Sequence, residues 1–253
     1  MKRLFGILFC LLTACANPND YSHIRVVEVV DGDTVRLANG KLLRYIGIDT
    51  PEIHIKQNNR FLYAPQPFAQ EAKKYNAKLV ANKFVTIEFD VEKTDIYGRL
   101  LGYCFVNGVL INAKMLEEGF AVTYTIPPNV KYVDTFVKLQ REAQHNKKGF
   151  WGAYEVIQAE EAYRYSNQIR TIRGKVQQAH ASKKYVSLTL TSHQKNGFRV
   201  RIYNNSLENF LQKGIDPLTF YINKTIEVSG RVRHYKTTEI IANTPSDIQI
   251  IGE

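Results

Sequence analysis

Between Ile24 and Ile48 apolar and polar side chains alternate in three short runs, Ile24 to Val30, Thr34 to Leu37 and Leu42 to Ile48. A period of two is the signature of strands with one buried face. The runs are separated by Asp31-Gly32 and Asn39-Gly40, and Asn-Gly between alternating runs is a strong hairpin signal. The segment therefore reads as three short strands joined by two turns.

The pattern continues in the same sense. Residues 53 to 67 are polar and aromatic with Pro65 and Pro67, and read as a loop before a helix from Phe68 to Ala81. Strands fit Phe84 to Phe89 and Leu100 to Val106, followed by helices at Ile111 to Glu118, stopped by Gly119, and at Val130 to Asn146. Such an order describes a small β-barrel with helical cover. Residues 152–167 are charged and tyrosine-rich and read as a helical linker or extension. Beyond them strands fit Thr171 to Gln177, Tyr185 to Thr191, Phe198 to Tyr203, Thr225 to Tyr235 and Glu239 to Ala242, with a helix at Leu207 to Lys213. Five strands with one helix between the third and fourth is the OB layout. The expected fold class is mainly β with helices (α+β): an OB-fold-like barrel over residues 22–151, a linker over 152–167, and a second OB-fold-like barrel over 168–253.

The N-terminus, residues 1–15, has a different character. Lys2 and Arg3 precede an apolar run from Leu4 to Leu12, as in a secretory signal, and the run is too short to span a bilayer stably. Leu12-Thr13-Ala14-Cys15 resembles a bacterial lipobox, which implies lipidation at Cys15, an anchor in the cell envelope, and, with Asn17 two places on, the outer membrane in a Gram-negative host. Cys104 would then be the only thiol left, without an intramolecular disulfide partner, and its aromatic neighbours suggest a buried filler.

The chemistry concentrates in three places: Asp33 in Asp31-Gly32-Asp33-Thr34, Arg44 with Asp49-Thr50-Pro51-Glu52, and Arg99 in Tyr97-Gly98-Arg99. Taken singly, each has an ordinary reading as turn cap or surface charge. Together, three carboxylates can hold a hard cation and activate water, while two guanidiniums can clamp a phosphate whose charge grows in the transition state.

On these motifs, with the Glu71-Ala72 helix and Trp151, residues 22 to 151 resemble the staphylococcal (micrococcal) nuclease, or thermonuclease, family. The resemblance implies Asp33, Asp49 and the Thr50 carbonyl as Ca2+ ligands, Glu52 as the group that positions or deprotonates water, and Arg44 and Arg99 as phosphate grips. It implies a sugar-non-specific endonuclease leaving 3′-phosphate ends on DNA and RNA, with Tyr97 and Tyr124 contacting the nucleotide. Ile96 departs from the family, whose best-known members have lysine there, so one phosphate contact is lost. His54, Lys56, Arg60, Phe61 and Tyr63 either hold nucleic acid through charge and stacking or form a mobile loop.

The net charge of +10 suggests a polyanionic partner, and most of the surplus lies in residues 166 to 253, with 13 basic and 6 acidic side chains. There Arg173, Lys175, Arg199, Arg201, Arg231 and Arg233 interleave with Tyr185, Phe198, Tyr203 and Tyr235. This suits a groove for single-stranded or loosened nucleic acid, or an ordinary barrel surface, or a glycan or protein site. The leading expectation is a lipid-anchored, Ca2+-dependent nuclease. The alternative is a non-catalytic nucleic-acid-binding envelope lipoprotein.

Overall fold

The three expected strands are present as β1 (Ile24–Val29), β2 (Thr34–Leu37) and β3 (Leu42–Tyr45), paired antiparallel, and the third stops at Tyr45 rather than Ile48. They come from a computed structural model that describes residues 21 to 252, apart from Asn59 and residues 192–196. The signal segment and Cys15 lie outside the described residues, as does the side chain of Lys56. The first half continues through β4 (Gly47–Asp49), β5 (His54–Gln57), β6 (Arg60–Tyr63), α1 (Ala69–Val80), β7 (Phe84–Glu88), β8 (Leu100–Val106) and β9 (Val109–Leu110). It ends with α2 (Ile111–Glu117), β10 (Val122–Tyr124) and α3 (Val133–His145).

The sheet order is β3-β2-β1-β7-β8-β9, and β3 pairs again with β8, in parallel, so five strands close into a barrel. Closure removes the free edges that an open sheet of this size would expose. Val26, Val35, Leu37, Leu43, Tyr45 and Cys104 fill the core together with Met115 and Leu116 of α2. Burial pushes the Cys104 thiol up to about 12, so it stays protonated and acts as a filler.

Two elements of this half go beyond the expected strands. Residues 54 to 63, read as loop, form the β5–β6 hairpin, whose Phe61, Leu62 and Tyr63 are exposed. A strand such as β6, exposed at every position, carries no alternation to detect. Strand β10, only three residues long, pairs with β4 so that Val122 faces Asp49 and Tyr124 faces Gly47.

The second half comprises β11 (Ile157–Gln158), β12 (Ile169–Lys175), β13 (Gln178–Ala181), β14 (Tyr185–Thr189), β15 (Phe198–Tyr203) and α4 (Asn204–Leu211). It closes with β16 (Thr225–Arg231), β17 (Arg233–His234), β18 (Thr238–Ile241) and β19 (Ile248–Gly252). Its core lies between a four-stranded sheet, β11-β12-β16-β19, and a five-stranded one, β13-β14-β15-β18-β17. Residues 152–167, expected as a linker, pack onto that core: β11 runs parallel to β12, and Ile157, Ala159 and Ala162 are buried. The expected single strand from Thr225 to Tyr235 breaks at Val232, which is fully buried. The two halves meet where Val122 and Phe150 pack against Ile169, with Trp151, Phe68 and Tyr154 around them. No helix among the described residues is long and apolar enough to cross a membrane.

Candidate active site

The turn between β1 and β2 is built to present Asp33. Asp31 accepts the Asp33 N–H at 3.0 Å, which sets the turn locally. Asn76 of α1, fully buried, donates to the Asp31 carbonyl at 3.1 Å and accepts from the Tyr45 hydroxyl at 3.2 Å, tying helix, turn and barrel together. Gly32 is required because a Cβ there would lie 2.7 Å from Thr50 Oγ1. The turn therefore presses on the segment that carries Asp49 and Thr50. Asp33 Oδ2 accepts from the Thr50 N–H at 2.9 Å and from its hydroxyl at 3.0 Å.

Arg44 sits on β3 between two partners, facing Thr34 of β2 and Leu101 of β8. Its guanidinium donates to Asp33 Oδ1 with one nitrogen and to Asp49 Oδ1 with the other, the latter at 2.9 Å. One planar fork thus spans both carboxylates, which are almost wholly buried. Between them the chain turns at Gly47, with φ of +82° and the Phe136 ring against its Cα. Asn112 holds this corner by donating to the Ile46 carbonyl at 2.9 Å and accepting from the Cys104 N–H at 3.0 Å.

Glu52 follows Pro51 at the edge of the cluster, its N–H donating to Gln66 Oε1 at 3.0 Å. Burial pushes its carboxyl above the usual range, Arg231 opposes the shift, and the charge of Asp49 adds to it. For Asp49, burial acts upward, but the charges of Arg231 and Arg44 outweigh it and hold the carboxyl below its ordinary value. Arg99 stands apart from Asp33 and Asp49: it pairs with Asp95 at 2.7 Å and lies over the Tyr97 ring at 5.9 Å. At the Asp31 carboxyl, burial raises the pKa and the charge of Arg99 is the least of the effects that oppose it. Tyr97 is 77% exposed and Ile96 92%, so both are free to meet a ligand from solvent.

Arg231, grouped by sequence with a surface stripe of the second domain, instead enters this cluster. Its Nε donates to Asp49 Oδ2 at 2.9 Å and its Nη2 to the Thr50 carbonyl at 2.8 Å, with Glu52 Oε1 at 3.5 Å. Arg233, two residues on, donates to the Tyr124 hydroxyl at 2.8 Å. The rest of the stripe divides as well: Arg173 pairs with Glu227 and Arg201 with Glu239, neutralising two cations assigned to a groove. Strand spacing places these arginines on a face but does not reveal which carboxylate each one meets.

The Asp33 and Asp49 carboxylates, bridged by Arg44, and the Thr50 carbonyl, met by Arg231, form a hard, oxygen-only donor set, which suits Ca2+ retaining part of its water shell and suits thiophilic metals poorly. Among the described residues no group of three or more acidic, histidine or cysteine side chains is gathered closely enough to hold a metal by itself, and His54 turns its ring edge-on to Tyr63 at 5.8 Å.

The family described as staphylococcal nuclease homologue matches residues 42–153. The thermonuclease of Staphylococcus hyicus is 35% identical over 139 residues, covering 54% of this chain and 79% of that protein. The SPbeta prophage-derived endonuclease YokF of Bacillus subtilis is 41% identical over 129 residues, covering 49% of this chain but only 42% of its own length. Endonuclease YncB of the same organism is 36% identical over 140 residues, covering 53% and 64% respectively. The matched segment carries Arg44, Asp49, Glu52 and Arg99 on the closed barrel, and the chain belongs to the staphylococcal nuclease family.

Proposed function

We propose that this chain is a Ca2+-dependent endonuclease that hydrolyses DNA and RNA to 3′-phosphate ends. The observation that carries the reading is the span of Arg44 across Asp33 and Asp49, with Glu52 at the open edge of the same cluster. Asp33, Asp49 and the Thr50 carbonyl would hold the cation, which when bound polarises a phosphoryl oxygen and acidifies water. Glu52 takes the proton of the attacking water as its oxygen bonds to phosphorus in line with the departing 5′ oxygen. A carboxyl raised above its usual range is a better base for this than an ordinary one.

Arg44 and Arg99 bind the non-bridging oxygens as charge accumulates there, each worth about 3 kcal/mol by analogy with a lost oxyanion donor. Arg99 reaches that role by leaving Asp95, which keeps the Tyr97 and Arg99 N–H groups as donors when the guanidinium departs. Tyr97 and Tyr124 contact the nucleotide by stacking, Tyr97 from an open surface and Tyr124 from a strand adjacent to Asp49. Residues 1–15 direct the chain to the envelope, where lipid on Cys15 anchors it to a membrane. The C-terminal barrel retains single-stranded or loosened nucleic acid. Supporting that part are its basic surplus and the cleft lined by His180, Tyr185, Ser187, Thr189 and Arg199.

The test is degradation of single-stranded DNA in Ca2+ and in chelator, by the wild-type chain and by Glu52→Gln and Arg99→Ala. Ca2+-dependent cleavage lost in both variants is expected. A folded wild-type chain that binds DNA without cutting it would instead favour the non-catalytic envelope protein.

A further inference from the structure

Strand β16 ends at Arg231 and β17 begins at Arg233, with Val232 buried between them. That alternation sends Val232 into its own core and both arginines to the nuclease barrel. Besides Asp49, Thr50 and Glu52, Arg231 reaches Gln66 Oε1 at 3.1 Å and the Asn167 carbonyl at 2.8 Å with Nη1. Gln66 is itself bonded to the Glu52 N–H, so the arginine grips the acidic loop at several points. An arginine has five N–H donors, and here each has an oxygen within reach, which leaves none for a substrate phosphate.

Two of those oxygens, Asp49 Oδ2 and the Thr50 carbonyl, belong to groups that the preceding section gives to the cation. Arg44 already meets Asp49 Oδ1, so with Arg231 on Oδ2 and on the Thr50 carbonyl a divalent ion entering there meets a second guanidinium, and the repulsion is strong in a site this buried. We propose that Arg231 is a tethered cation that competes with Ca2+ for Asp49 and Thr50, so that metal binding and the grip of the C-terminal barrel on the nuclease site oppose each other. The inference rests on the cation assignment made above. The C-terminal barrel becomes a brake: while Arg231 is seated, the acidic cluster is neutralised from within. By reciprocity, whatever loosens Arg231 strengthens metal binding by the same factor that metal loosens Arg231.

Calorimetric titration of Ca2+ into the full chain, as wild type, Arg231→Ala and Arg231→Lys, tests this directly. Arg231→Ala should bind Ca2+ about tenfold or more tightly than wild type, because a site blocked most of the time shows an apparent affinity reduced by the blocked fraction. Arg231→Lys, which keeps the charge but has a shorter reach and fewer donors, should fall between them. Equal affinities, or weaker binding by Arg231→Ala, overturn the competition while leaving the metal site in place. No Ca2+ binding by either wild type or Arg231→Ala removes the cation assignment, and the competition with it. If Arg231→Ala does not fold, the wild type still decides. Trp151, the only tryptophan, packs at the junction with Ile169, so saturating Ca2+ should shift its emission. An unchanged emission at full Ca2+ occupancy overturns the proposal.

Discussion

Replacing Arg44 with methionine removes the guanidinium that ties Asp33 to Asp49 while keeping an apolar stem of similar reach. Asp33 retains three neutral donors, the Thr34 hydroxyl and the Thr50 N–H and hydroxyl. Asp49 retains Arg231. Removing one partner of a buried ion pair costs about 3–5 kcal/mol. Because neither carboxylate is left bare, the lower end, about 3 kcal/mol, is expected. For a chain of this length that corresponds to a fall in Tm of about 6–12 °C. The assay is thermal unfolding followed by circular dichroism at pH 7 in chelator, so that no added metal replaces the lost charge. The pH dependence has a definite sign. Asp49 is held below its unfolded value, so its contribution is complete above about pH 4 and is lost as pH falls through the folded value. The gap between wild type and variant should therefore narrow in acid. A variant that melts within about 2 °C of wild type at pH 7 would show that the two carboxylates do not depend on Arg44, refuting the reasoning.

Three further outcomes follow from the geometry. Gly47→Ala must place a methyl 2.4 Å from Phe136 at a positive φ, and should cost about 2–5 kcal/mol in denaturant unfolding, the sum of left-handed strain and overpacking. Glu52 must be ionised to accept a proton and its carboxyl is raised by burial, so kcat should fall on the acid side at a pH above the usual carboxylate range. Glu52→Gln should abolish that limb and lower kcat about 10²–10⁴-fold. Tyr97→Ala, at a highly exposed position, should leave Tm unchanged while weakening oligonucleotide binding by about 1–3 kcal/mol, read from KM on short single strands.

Where the fold was legible, a buried face imposed a period. Strands β1 to β3, β7 and β8 and helices α1 and α3 alternate or repeat because one side of each is in the core, and their expected bounds lie within a few residues of those found. The β5–β6 hairpin, exposed along β6, and the three-residue β10 leave no such trace. The motif carboxylates and Arg44 do gather as their spacing suggests, while Arg99 turns to Asp95, a local partner that the Asp95-to-Arg99 spacing already offered. Arg231 could not have been placed from sequence: its partners are far away in the chain, and a basic residue on an alternating strand reads as surface until the docking of the two halves is known.

The parallel pairing of β3 with β8 also bears on when catalytic competence arises. A nascent chain that has formed only the β1–β3 meander already has Asp33 and Arg44 in neighbouring positions, but Arg99 enters with β8, after α1 and β7 have been laid down. Joining distant strands is the slow, entropically demanding part of building such a sheet. With Arg99 in the role proposed for it, a stalled or truncated product that lacks β8 holds Asp33 and Arg44 without the second guanidinium.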